Sequence, residues 1–125
     1  MSPVRHQISG TVLSFPLAEE MHRVRGELAA TDTRIARTLV KEGPMRVTLV
    51  AVVAGGELHE HTADGPVTIH VLDGAIELEA AGTTWTASAG TLLALNAGVT
   101  HAVRSRDGGV FLLTVVHADD GGSGA

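Results

Sequence analysis

The feature that most constrains the fold is a succession of short apolar segments separated by turn-forming residues. These segments, rich in Val, Leu, Ile and Thr, cover 8–13, 37–41, 45–53, 67–72, 75–79, 83–87, 92–95, 102–106 and 110–116. Glycine-containing turns lie between them, and the pair Asp73-Gly74 predicts a tight hairpin. Short strands that do not alternate with helices predict an all-β fold, an antiparallel sandwich or barrel.

One segment near the start has helical periodicity instead. Leu17, Met21, Val24 and Leu28 recur at three- and four-residue spacing, which predicts one short amphipathic N-terminal helix over 17–29 that packs its apolar side on the barrel. The apolar run 47–54 indicates a strand covered on both faces, or one whose second face lies in a subunit interface.

Composition excludes several classes of protein. A net charge of −5 without a basic stripe argues against a nucleic-acid partner, and the absence of cysteine excludes disulfides and thiolate chemistry. No apolar run is long enough to span a membrane, and the first residues do not resemble a signal peptide. We therefore expect a cytoplasmic protein with no membrane partner, organised as a single domain over 1–118 with a disordered tail over 119–125.

The histidines are the main clue to chemistry. In the segment Glu57-Leu58-His59-Glu60-His61, strand alternation predicts that His59 and His61 project from one face and Leu58 and Glu60 from the other. Two neutral imidazoles side by side can chelate a borderline metal ion. An H-x-H pair alone is a weak signal, so its surroundings matter.

Those surroundings resemble the cupin superfamily. Gly74 closes a first motif that begins before the H-x-H pair, and Gly90, Gly98 and His101 match a second motif at its own spacing. The resemblance covers 47–116 and implies a cupin jelly roll, that is, a double-stranded β-helix forming an antiparallel β-barrel. It also implies one divalent metal ion (Fe, Zn, Ni or Mn) on His59, His61 and His101.

Several positions depart from the family pattern. Val67 stands where the family usually has a carboxylate ligand, Asn96 replaces a proline, and Ser105 replaces an asparagine. What is left is a face of three histidines, and three protein ligands with open positions are typical of a catalytic metal site. The opposing interpretation is a degenerate cupin that binds metal weakly or not at all.

The remaining polar candidates have less specific interpretations. If Val67 faces the interior, His70 faces outward, in a packed outer sheet or a dimer interface. Arg46 could bind a substrate carboxylate or be a solvated strand-end charge, and Trp85 could cap the cavity mouth or pack between sheets. His6, His22 and His117 are interpreted as surface residues.

Two functions are compatible with this pattern. The first is a metal-dependent enzyme acting on a small, partly apolar metabolite; the resemblance implies a three-His dioxygenase or another lyase, isomerase or cyclase. The second is a non-catalytic small-molecule-binding or sensing barrel that needs no metal. The resemblance to small cupins also implies a homodimer.

Overall fold

The computed structural model describes residues 12–29 and 31–118, which form one helix and eight strands. The elements in chain order are α1 (Leu17–Glu27), β1 (Arg34–Glu42), β2 (Met45–Val52), β3 (Glu57–His61), β4 (Val67–Ala80), β5 (Thr83–Ser88), β6 (Leu92–Leu95), β7 (His101–Arg104) and β8 (Gly109–Val116). The predicted strand over 8–13 lies mostly outside the described residues, and Val12 and Leu13 belong to no strand. His6 and the tail 119–125 also lie outside them.

The strands form one curled antiparallel sheet in the order β1-β2-β8-β4-β7-β3. The first half of β4 pairs with β8 and β6, and its second half pairs with β7 and β5. β4 therefore belongs to two halves of the sheet, which curl towards each other around one interior. This arrangement confirms the predicted all-β barrel with one short helix.

The prediction of a hairpin at Asp73-Gly74 is wrong, because β4 runs on without a turn for 14 residues. The register with β8 shifts between Val71 and Asp73, and Gly74 then lies opposite Gly109 at φ +71°. The ladder with β8 ends at Gly74, and the strand continues from Ala75 in ladders with β5 and β7, so the glycine bends the strand and does not reverse it. The chain reverses at Ala81 and Gly82 instead, both at positive φ, where β4 meets β5.

The interior is apolar and almost entirely aliphatic. Its buried residues come from both halves of the sheet: Val50, Val52, Val67, Ile69, Val71, Ile76, Leu78, Ala87, Leu95, Val103 and Phe111. The burial of Val67, Ile69 and Val71, with His70 exposed between them, confirms the predicted faces of this strand. Val103 and Ser105 are buried on the face that also carries His101, as alternation predicts.

A second apolar cluster lies between α1 and the outside of β1, β2 and β8. Val24 from the helix is fully buried there with Leu49, Ala51 and Val110. Within the run 47–54, residues 49–52 are therefore buried on both faces, by the interior on one side and by the helix on the other, whereas Ala54 is exposed. The helix also contributes Glu20, a buried carboxylate whose Oε1 lies 3.5 Å from Nε of Arg37.

Two matched glycine substitutions test the role of the bend in β4. A Cβ at Gly74 would lie 2.3 Å from the Gly108 carbonyl oxygen, whereas a Cβ at Gly82, at a similar φ of +76°, would meet nothing within 4 Å. Both alanine variants incur the cost of a left-handed backbone, about 1–2 kcal/mol, but only Gly74→Ala adds a backbone collision. We expect Gly74→Ala to lower the free energy of unfolding, measured with urea, by at least ~2 kcal/mol more than Gly82→Ala. Equal losses would contradict this role.

Candidate functional site

Two of the three predicted metal ligands meet inside the barrel. His61 on β3 lies directly opposite His101 on β7, with ring centroids 4.3 Å apart and planes at 60°. His101 is 2% exposed, while His61 stands at the solvent side of the pair. The pair therefore has a buried member and an accessible one, which is a geometry open to a small ligand.

The hydrogen bonds of these rings fix which nitrogens are free. Nδ1 of His101 lies 2.9 Å from the carbonyl oxygen of Val99, and since a carbonyl only accepts, Nδ1 must donate. Nε2 of the neutral ring then carries a lone pair, and this buried atom has no hydrogen-bond partner. Nδ1 of His61 likewise lies 3.4 Å from the His59 carbonyl oxygen. Backbone carbonyls that hold Nδ1 in this way are the usual support of histidines that bind metal through Nε2.

The third predicted ligand is placed differently. Leu58 pairs with Val103 and His61 with His101, so the register shifts by one residue between them and forms a bulge. His59 lies within the bulge with its side chain 81% exposed and its Nδ1 3.4 Å from a carboxylate oxygen of Glu57. The expectation that His59 and His61 share a face, opposite Leu58, is thus wrong in this register, because the bulge interrupts the alternation.

No further ligand takes the place of His59. Among residues 12–29 and 31–118, no three His, Asp or Glu side chains are grouped so as to hold a metal ion. Val67, at the position of the family's carboxylate, is buried in the interior. The structure thus supplies two convergent imidazoles, and the three-histidine metal site stays a prediction.

Hydrogen bonds connect the loops beside the His61–His101 pair. The hydroxyls of Thr62 and Thr100, each adjacent to one of the two histidines, lie 2.7 Å apart. Further along the loop, Oδ1 of Asp64 lies 2.7 Å from Nδ1 of His117, and this hydrogen bond lowers the pKa of the Asp64 carboxyl. The sequence indicates only a surface residue at His117, whereas in the structure His117 has a hydrogen-bond partner 53 positions away, which local sequence does not reveal.

An apolar cavity of about 280 Å³ is lined by residues that neighbour His101, while neither His61 nor His101 is among its lining residues. Its walls come from β4, β5, β6 and the loop after β6, and include Leu78, Ala80, Trp85, Leu93, Leu95 and Val99. Ala80 lies opposite His101 in the sheet, and Val99 accepts the hydrogen bond from the His101 ring. Trp85, 43% exposed, lies opposite Leu78 and stands at the rim, which decides between the two roles considered for it.

Two other candidates lie away from this cavity. The Arg46 guanidinium donates to the carbonyl oxygens of Gly43 and Met45, so it stabilises the hairpin between β1 and β2. His70 is exposed on the outer face of β4, opposite Leu92, which is also exposed. A role for His70 in a homodimer interface stays a prediction.

The outer face of the histidine-bearing half of the sheet is highly charged. Glu57, Glu77 and Glu79 surround Arg104 there, and Nε of Arg104 donates to Oε1 of Glu77 over 2.6 Å. This hydrogen bond, together with the charge of Arg106, lowers the pKa of Glu77, and the same bond raises the pKa of Arg104. His59 borders this face, so its surroundings are carboxylates instead of imidazoles.

Comparisons with known proteins agree with this architecture. The family model for the Cupin domain matches residues 46–117. A conserved Streptococcus pyogenes protein of unknown function has a TM-score of 0.69 at 23% identity, covering 95% of this chain and 97% of that one. A cupin superfamily protein from Desulfitobacterium hafniense has a TM-score of 0.73 at 14% identity, covering 94% and 100%.

A third similar structure is a salicylate 1,2-dioxygenase variant from Pseudoaminobacter salicylatoxidans, with a TM-score of 0.70 at 15% identity. It is matched over 78% of this chain but only 33% of its own length. No curated protein matches the chain. Within the described residues, no helix is long and apolar enough to cross a membrane.

The Glu77–Arg104 pair gives a prediction for the pH dependence of stability. A carboxyl whose pKa is lowered by folding contributes stability above its unfolded pKa, and this contribution disappears as the pH falls through the folded value. We therefore expect Glu77→Gln to reduce the difference in urea midpoint between pH 7 and about pH 3. Glu79→Gln, on the same strand and face, serves as the matched control and should keep a larger difference. Identical pH profiles for the two variants would argue against the pair.

Proposed function

The chain belongs to the cupin family, and from that premise we propose that it binds one divalent metal ion through His61 and His101. We propose further that it acts on a small, partly apolar metabolite held in the adjacent cavity. A metal site is expected from the family, and His61 and His101 are the residues of this chain that support it.

The observation that carries the proposal is the unpartnered Nε2 of His101. Buried polar atoms are nearly always hydrogen-bonded, so one that is not calls for an explanation. The Val99 carbonyl holds the ring with this lone pair free, and the His61 ring lies beside it. Metal ligation would satisfy the atom and would account for a histidine in an interior that is almost entirely apolar.

The cavity supports the substrate class. An apolar cavity of about 150 Å³ is enough to hold benzene, so about 280 Å³ suits a compact molecule of somewhat larger size. Leu78, Leu93 and Trp85 would contact its apolar part, while a polar group would lie towards the histidines. A divalent ion bound there supplies a Lewis acid for a chelating oxygen. A salicylate dioxygenase shares the fold, so dioxygenase chemistry stands among the candidate reactions, with lyase, isomerase and cyclase chemistry.

Metal binding is tested on protein purified without a His-tag and stripped with a chelator. Because an ion that binds only the folded state stabilises it, Zn(II), Ni(II) or Fe(II) at 100 times Kd should stabilise by about 2.7 kcal/mol, a rise in Tm on the order of 10 °C. Calorimetric titration should give about one equivalent. Less than about a tenth of an equivalent, with no rise in Tm for any of the three ions, would end the proposal.

Three variants locate the site. His61→Ala and His101→Asn should each abolish the stabilisation, whereas His70→Ala, on the outer face, should retain it. His61 is exposed, so its variant should fold even if replacement of the buried His101 does not. Full stabilisation of folded His61→Ala would place the metal elsewhere.

A second candidate function is a non-catalytic small-molecule-binding barrel. Two observations favour it: the cavity walls are mostly apolar, and no group of three metal-binding side chains lies in the part of the chain that the structure describes. Such a protein would bind its ligand through the walls of the cavity alone.

The chain's single tryptophan reports on this alternative. Trp85 stands at the rim of the cavity, so a small aromatic probe such as toluene or salicylate should change its fluorescence in metal-free protein. Leu93→Phe, which adds volume to the cavity wall without adding a second tryptophan, should weaken that change at least about fivefold. If the response requires metal, the metal-dependent function is favoured over a metal-free barrel.

A further inference from the structure

We propose that the free edge of β5 binds a second copy of this chain, which pairs its own β5 antiparallel to it across a two-fold axis at Trp85. The interface involves the edge of the sheet alone and does not depend on whether the protein binds metal. It gives the expected homodimer a defined contact, and it places Trp85 of the second copy beside the mouth of the cavity.

The strand β5 lacks the features that usually keep an exposed edge from pairing. Natural edge strands are protected by charges, prolines, bulges or short length. In the described part of the chain β5 pairs with β4 alone, in an unbroken register of six residues, and the four residues 83–86 are all exposed. The edge strands β1 and β3 carry charged side chains such as Lys41 and Glu60, and β6 has only four residues. Among the described strands, β5 is therefore the edge most open to another strand.

The backbone of β5 directs hydrogen-bonding groups at this free edge. The amide of Ala89 donates to the Gly74 carbonyl oxygen over 3.0 Å and continues the register between β4 and β5. In an antiparallel ladder, residues that bond to the neighbouring strand alternate with residues that do not. Counting in twos from Ala89 reaches Trp85, which bonds to β4. The N–H and C=O groups of Thr84 and Thr86 therefore point away from β4, where a second strand can bond to them.

A two-fold axis at Trp85 makes this edge complementary to itself. Each Thr84 then lies opposite Thr86 of the second copy, and the two residues exchange both backbone hydrogen bonds. The two Trp85 residues form a non-hydrogen-bonded pair with Cα atoms about 4.5 Å apart. Both indoles lie on the interior side of the sheet, because Trp85 pairs with the buried Leu78. Aromatic cross-strand pairs are favourable, and this pair would cover the rim of the cavity.

Electrostatics favour a second copy at this edge over other parts of the surface. The chain has a net charge of −5, so two copies repel each other where their acidic faces meet. No Asp, Glu, Lys or Arg occurs in residues 80–103, although charged residues make up 18% of the chain. Glu79, opposite Thr84, would be three strand spacings, about 14 Å, from Glu77 of the second copy. This exceeds the Debye length of about 8 Å at physiological ionic strength, so the repulsion is largely screened.

The size of the edge sets the expected affinity. A standard interface takes about 20–30 residues from each partner. The uncharged stretch 81–100 offers 15 exposed residues, so the contact belongs among weak and reversible dimers. We expect a Kd on the order of 10 µM, which makes the dimer dependent on protein concentration.

Sedimentation velocity of the full chain from about 1 to about 300 µM tests the interface, and the wild type should change from monomer to dimer over this range. Thr84→Pro removes an outward N–H and none of the hydrogen bonds to β4, so the variant should fold and stay monomeric. Trp85→Lys places two cations at the axis and should also prevent dimers. His70→Lys, exposed on the outer face of β4, is the matched control and should dimerise like the wild type.

Amide hydrogen exchange of the wild type reads the register residue by residue. The amides of Thr84 and Thr86 should become protected as the concentration rises, whereas those of Thr83 and Trp85, which bond to β4, should be protected throughout. A wild type that stays monomeric at about 300 µM, with Thr84 and Thr86 unprotected, would overturn the proposal and leave the edge to a different partner. Dissociation by His70→Lys but not by Thr84→Pro would place the contact on the outer face of β4 and would overturn it as well.

Discussion

The bend of β4 at Gly74 is the constraint on which the rest of the molecule depends. One continuous strand supplies Val67 and Ile69 to one half of the sheet and Leu78 and Ala80 to the other. The bend fits because the backbones at Gly74 and Gly109 approach more closely than any side chain would allow. It sets the distance between the two halves, and with it both the interior and the cavity beside His101.

The interior that this bend creates is apolar and therefore poorly suited to an imidazole. The presence of a buried histidine there calls for an explanation. Around His101 lie Ala80 and Val103, which offer no hydrogen bond, so its Nε2 is desolvated without compensation. Such a group costs roughly 1–3 kcal/mol in a protein interior. The structure accepts this cost at a ring whose centroid lies 4.3 Å from that of His61.

Most of the fold could be predicted from the sequence, since turn residues and apolar segments are local signals. The helix, the covered strand β2 and the alternation around His70 follow from residue periodicity. The bend of β4 could not be predicted, because Asp73-Gly74 has the composition of a hairpin. Only the ladders that β4 forms with β8 before the bend and with β5 after it show that the strand continues. Long-range pairing decides what such a dipeptide does.

The candidate site could also be predicted only in part, because some of its residues follow from local spacing and one depends on long-range strand pairing. His61 and His101 followed from spacing and family resemblance, whereas the place of His59 depends on a bulge. One sign of it is in the sequence: strict alternation would put Leu58 and Glu60 on one face, where apolar and charged side chains conflict. The structure resolves that conflict by turning Leu58 inward.

The most direct measurement of the central claim is the tautomer of His101, read from long-range proton–nitrogen NMR correlations. We expect the ring to carry its proton on Nδ1, which donates to the Val99 carbonyl, and its Nε2 resonance to move strongly when Zn(II) is added. A ring protonated at Nε2, or an Nε2 resonance unaffected by saturating Zn(II), would contradict it.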